Sequence, residues 1–317
     1  MNEFRMHQRI VQQILLVLYL ILSCNGLQGE KKLSKLENME LEKQLKLLNK
    51  PAIKTIKSNN NSEQKGRYIS SRGYKLAIAQ TPNDPNNKFA GAGMATSLYN
   101  PLVEGKQHSA CRLKIQKVSD ILQVGWRVDP TLYGDNKIRL FIHFQAGKIH
   151  CFNTLCLGFV QVNTEIPLDM SYENHISQRE VKTWEETMYI ERDLVDGNWW
   201  LLMEDNYERV GFWPQRIFTD LASFATNVEW GGIVYSPPGV PEPPMGSSFF
   251  PSKYPAYDGY CKSIAVLNDK GGTVEVNKVH THVDSFNVYK VLFERLPEGS
   301  KSFNYVLYGG PGGSIPV

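Results

Sequence analysis

Two short segments set a polar side chain beside a glycine at a spacing that could do chemistry. In Leu122-Gln123-Val124-Gly125-Trp126 a strand period of two puts Gln123 and Gly125 on one face and Val124 and Trp126 on the other. In Val228-Glu229-Trp230-Gly231-Gly232 the same period brings Glu229 and Gly231 together, with Val228, Trp230 and Gly232 behind. Glycine inside a strand marks a place where a ligand or another backbone comes close. If the two segments are neighbours in a sheet, they make a shallow cleft holding one carboxylate and one amide. A carboxylate can move a proton, whereas an amide can only hydrogen-bond. The alternative, solvent-facing polar positions at bulges, stays open from the residues alone.

Other chemistries lack their residues. G-x-S-x-G, H-E-x-x-H, a Walker loop and a dinucleotide fingerprint are missing from the chain. His280-Thr281-His282 would set two imidazoles on one face of a strand, and the ordinary reading of that pattern is a solvated face, not a metal site. Neither a metal nor an organic cofactor is expected.

The elements that must position Gln123 and Glu229 are strands. Short β-rich runs recur at Tyr74 to Ala79, Leu122 to Val128, Arg139 to Phe144, Gly158 to Val162, Trp199 to Met203, Val228 to Tyr235, Ile264 to Leu267, Val274 to Val276 and Asn304 to Tyr308. Turn clusters such as Tyr133-Gly134-Asp135-Asn136 separate them, and only 214 to 226 reads as one short helix. The pattern predicts an all-β domain, two antiparallel sheets packed as a jelly-roll-like sandwich, over 68–317. The 15 Tyr, 14 Phe, 25 Gly and 17 Pro favour the same class.

Ahead of that domain, Arg5 and Arg9 precede an apolar run from Ile14 to Leu22 with small residues after it, which reads as a cleaved signal over 1–26. The run is too short for the roughly 20 residues that a bilayer-spanning helix needs. The expected setting is secreted and extracellular, with the vacuole as alternative, and no membrane association after cleavage. Residues 27–67 carry an amphipathic helix built on Leu41, Leu45 and Leu48, then a polar linker, the layout of a pro-segment. Asn60 lies in the chain's N-x-S/T sequon and is the expected glycan site. Of the cysteines, Cys151 and Cys156 can staple a tight loop, and Cys111 and Cys261 are left as a long-range pair, although sequence alone does not choose the connectivity. With 35 Lys+Arg against 32 Asp+Glu, evenly mixed, there is no basic stripe for nucleic acid.

A family resemblance sharpens this reading. The ordered motifs from Gly125 to Asp135, Cys151 to Gln161, Gly197 to Leu201, Gly211 to Pro214, Glu229 to Gly232 and Tyr308 to Gly312 are similar to those of the plant neprosin domain family, and Leu41 to Lys57 resembles its activation peptide. The resemblance covers about residues 40 to 312. It implies a secreted glutamic endopeptidase that cuts after proline under acidic conditions, on a two-sheet β-sandwich with paired catalytic glutamates. The second glutamate maps to Glu229 and the first to Gln123, a departure from the family pattern. Fungal glutamic peptidases of the eqolisin type use one Gln and one Glu. In such a dyad Glu229 would serve as general base and acid, and Gln123 would orient water and donate to the oxyanion. Gly125, Gly231, Trp126, Trp230 and Trp213 are the expected substrate-binding residues, the partner is a peptide or protein, and a monomer is expected. Further departures are Phe144-Gln145-Ala146-Gly147 where relatives carry an aromatic and an acid, and Asn287-Val288-Tyr289-Lys290 where relatives carry a cysteine. The second reading is a catalytically silent neprosin-domain protein that uses the same cleft to bind extracellular peptide or polysaccharide.

Overall fold

The computed structural model describes residues 73–204 and 206–313. The signal, the pro-segment helix and linker, and Asn60 lie outside the described residues. In chain order the strands are β1 (Tyr74–Gln80), β2 (Gly91–Ser97), β3 (His108–Lys117), β4 (Asp120–Val128), β5 (Arg139–Ala146), β6 (Ile149–Phe152), β7 (Val160–Gln161), β8 (Glu185–Arg192), β9 (Trp199–Met203), β10 (Glu208–Trp213), β11 (Asn227–Tyr235), β12 (Met245–Gly246), β13 (Gly259–Leu267), β14 (Thr273–Glu275), β15 (His280–Val283), β16 (Lys290–Glu298) and β17 (Lys301–Gly310). Among the described residues helix is confined to a single turn, α1 (Pro130–Tyr133), and a 3-10 turn at Gln215–Ile217, so the short helix expected over 214 to 226 shrinks to that turn.

Two antiparallel sheets make up the fold. The first runs β15-β1-β11-β3-β4-β5-β6; the second runs β12-β17-β13-β2-β8-β9-β10-β7, with β14 on β13 and β16 on β17. The inner faces follow from the period of two. Cys111, Leu113 and Ile115 of β3, Leu122, Val124 and Trp126 of β4, and Val228, Trp230 and Val234 of β11 are all fully buried in one core. They meet Ala92 and Met94 of β2 and Met188 and Ile190 of β8 in the same core.

The tryptophans tie the layers together. The Trp126 indole N–H donates to the Ser97 carbonyl of the opposite sheet (2.9 Å), and that of Trp230 donates to the Gly93 carbonyl (3.2 Å). Each ring therefore buries a large apolar surface while its one polar atom stays satisfied. Beside them, Asp120 at the start of β4 is a buried carboxylate that accepts from the backbone N–H groups of Thr219, Asp220 and Leu221 (2.8, 2.6 and 3.1 Å) and of Gly147 (3.2 Å). It fastens the β10–β11 connection and the β5–β6 turn to the start of β4.

Candidate functional site

The outer face of the seven-stranded sheet carries the candidate site. Gln123 and Glu229 both point to it, yet their strands are not neighbours, because β3 lies between β4 and β11. The register makes one cross-sheet row from Gln80 through Glu229, Lys114, Gln123 and His143 to Phe152. The adjacent row runs Gly231, Arg112, Gly125, Phe141. β3 thus inserts two cations, Arg112 and Lys114, between the amide and the carboxylate.

Their hydrogen bonds close the centre. Arg112 donates through one guanidinium nitrogen to Gln123 Oε1 (2.8 Å) and through another to Glu229 Oε2 (3.1 Å). Lys114 Nζ donates to Glu229 Oε1 (2.9 Å), which also accepts from Asn227 Nδ2 (3.3 Å). Gln123 Nε2 lies 3.0 Å from His143 Nδ1. Since Arg112 can only donate, Oε1 of Gln123 faces it, and the amide nitrogen donates to a neutral His143. Burial pushes the His143 imidazole down to about 3, with His150, Arg112, Arg127 and Lys114 adding to the effect. Burial also lowers Lys114 from its ordinary value, and Arg112 adds to this while Glu229 opposes it. Glu229 borders the cleft but is 0% exposed, its two oxygens taken by these buried partners.

Above this floor opens a cleft of about 540 Å3. One wall is formed by Phe141, Phe152, His150 and Arg127, the other by Tyr74, Leu76, Ile233 and Asp284. The Arg127 guanidinium sits over the Phe152 ring at 4.9 Å and is held by Asp129 at 2.7 Å. Asp284 accepts from the Leu76 N–H (2.9 Å) and pairs with His282 (3.0 Å). Among the described residues no group of three or more His, Cys, Asp or Glu side chains is gathered as a metal site would require.

Gly125 and Gly231 flank Arg112 and are needed for backbone proximity. A Cβ at Gly125 would stand 1.9 Å from the Cys111 carbonyl oxygen, and one at Gly231, where φ is +132°, 2.5 Å from the Ala77 carbonyl oxygen. The tryptophans require a correction: Trp126, Trp230 and Trp213 are fully buried in the core and do not line the cleft, because the period of two that turns Gln123 and Glu229 outward turns Trp126 and Trp230 inward. The Cys151–Cys156 disulfide is formed, whereas Cys111 and Cys261 are free thiols.

A family model described as Neprosin matches residues 105–311. The chain belongs to the neprosin family. Solved structures similar to this neprosin chain include scytalido-glutamic peptidase with a peptide-based transition state analog, at 12% identity over 75% of this chain and 98% of that one, TM-score 0.40. Another is SCP-B, a member of the eqolisin family of peptidases, in complex with the tripeptide Ala-Ile-His, at 13% identity, with the same coverage and a TM-score of 0.39.

Sequence reasoning missed Arg112, Lys114 and His143. A signal for the first two was present, since Cys111-Arg112-Leu113-Lys114-Ile115-Gln116 alternates apolar and polar residues as a half-buried strand does.

Proposed function

We propose that this neprosin chain binds an extended peptide in the cleft of its seven-stranded sheet and does not hydrolyse it. One observation carries the reading: the Arg112 guanidinium bridges Gln123 and Glu229, where a glutamic dyad needs its water. Hydrolysis by such a dyad requires a carboxylate that takes a proton from water and returns it to the leaving amine. To carry that proton, Glu229 would have to give up two buried cationic partners, and breaking a buried pair costs about 3–5 kcal/mol. Gln123 is held at both ends, its oxygen by Arg112 and its nitrogen by His143. One of its two amide N–H groups is thereby committed to His143 rather than to an oxyanion.

The remaining cleft suits a ligand chain. Leu76, Ile233, Phe141 and Phe152 give apolar walls, and a few polar groups converge between them, the usual composition of a binding cleft. In this reading the protein is secreted, acts as a monomer and takes a peptide or protein segment as partner.

A second reading is favoured by the shared row that holds Gln123 and Glu229 on the cleft face: an endopeptidase cutting after proline at acidic pH with that pair as its dyad. One experiment separates the two. Purified protein freed of its N-terminal segment is mixed with a proline-rich peptide between about pH 2 and 7, with binding read by calorimetry and cut positions by mass spectrometry, beside the Glu229→Gln variant. Saturable binding without cleavage is expected. Cleavage by the unaltered protein that disappears in Glu229→Gln, with the variant shown to be folded by circular dichroism under the same conditions, would instead establish the peptidase.

A further inference from the structure

Cys111 and Cys261 face each other across the sandwich. Cys111 sits on the core side of β3, in register with Gly232 and Trp126 of the flanking strands. Cys261 sits on β13 of the opposite sheet, in register with Thr96 and Val306. Their Sγ atoms are 3.4 Å apart although the residues are 150 positions apart in sequence, and both residues are 0% exposed. The Thr96 hydroxyl donates to the Cys111 sulfur at 3.2 Å. A disulfide needs about 2.05 Å, so bonding distance lies only ~1.3 Å of sulfur movement away.

We propose that Cys111 and Cys261 form an inter-sheet disulfide site, closed by a low-molecular-weight disulfide such as oxidised glutathione while the two sheets come together. The two thiols lose two electrons and two protons as the Cys111–Cys261 bond forms. The glutathione S–S bond breaks, and its two sulfurs take up those electrons and protons as two glutathione thiols. The site differs in kind from the Cys151–Cys156 staple, which closes a loop of sequence separation 5 within one region. The inter-sheet bond would join the middle strands of both layers directly behind Arg112, and it stands whether or not the cleft binds peptide.

The test uses the full chain in two preparations: secreted by a eukaryotic host, and refolded from denaturant in the glutathione couple until Cys151–Cys156 is closed. Each is alkylated in denaturant without reductant, digested and read by mass spectrometry. A peptide pair joined between Cys111 and Cys261 is expected in both. In a Cys151→Ser/Cys156→Ser variant, reduction should then lower the melting temperature by about 10 °C, as loss of a link closing so long a loop implies. Recovery of Cys111 and Cys261 as alkylated thiols while Cys151–Cys156 is closed would overturn the proposal. So would finding either of them bonded to a different cysteine or to glutathione.

Discussion

At Glu229 two cations and an asparagine share one carboxylate, and every member of the group except Asn227 is buried. Such an arrangement is coupled tightly enough that removing the anion exposes its partners to uncompensated burial. Glu229→Gln should therefore destabilise the fold by about 3–5 kcal/mol, read from urea denaturation midpoints at constant slope. A carboxylate serving catalysis would give the opposite trend, because active-site groups are commonly held at a cost to stability. Arg112→Gln should destabilise by less, since Lys114 still pairs with Glu229 at 2.9 Å and a glutamine can still offer an N–H to its neighbours.

At the scale of the elements, β3 and its flanking glycines set the geometry. Gly125→Ala and Gly231→Ala each drive a methyl group into a neighbouring strand's carbonyl oxygen, so both should lose several kcal/mol, ~3 or more, in chemical denaturation. Gly147→Ala, in a turn with φ of +59° and open space around it, should lose only about 1 kcal/mol. Asp120→Ala would leave the three backbone N–H groups of residues 219–221 without their shared acceptor. A loss of about 2–4 kcal/mol is expected, accompanied by faster amide hydrogen exchange in that connection. These elements differ in how legible they were. β9 and β11 announce themselves through runs of Trp, Leu, Val and Ile, and their predicted limits agree with the structure to within a residue. β2, Gly-Ala-Gly-Met-Ala-Thr-Ser, carries one β-branched residue, Thr96, and no alternation, because it is buried along its whole length and its glycines make room for Tyr189 and Leu267. The polar pair Gln123 and Glu229 was legible from period and glycine spacing. Their separation by β3 was not, because strand order is set by long-range pairing that no local pattern encodes.

At the scale of the whole molecule, two buried histidines contribute to the response to acid. His143 and His108 are each pushed by burial from 6.5 down to about 3, His108 with Arg127 adding to the effect and Asp129 opposing it. In the unfolded chain each titrates near 6.5. Between these limits the unfolded chain binds more protons than the folded one, so stability rises with pH and is lost as pH falls from about 6.5 toward 3. Each histidine contributes up to about 1.4 kcal/mol per pH unit across that window. Thermal melting from pH 7 downward should show this slope, and His143→Gln should reduce it by one histidine's share. A melting temperature that holds level to about pH 3 would mean that the two imidazoles are solvated when charged.

The alternation of β3 separates two kinds of heredity in one strand. Cys111, Leu113 and Ile115 answer to the core, while Arg112 and Lys114 answer to the cleft alone. Changes on the outer face leave the packing between the layers untouched, so the charge pattern of the cleft can drift while the core is inherited unchanged, and the drift is limited by the buried pairs that Arg112 and Lys114 make with Glu229.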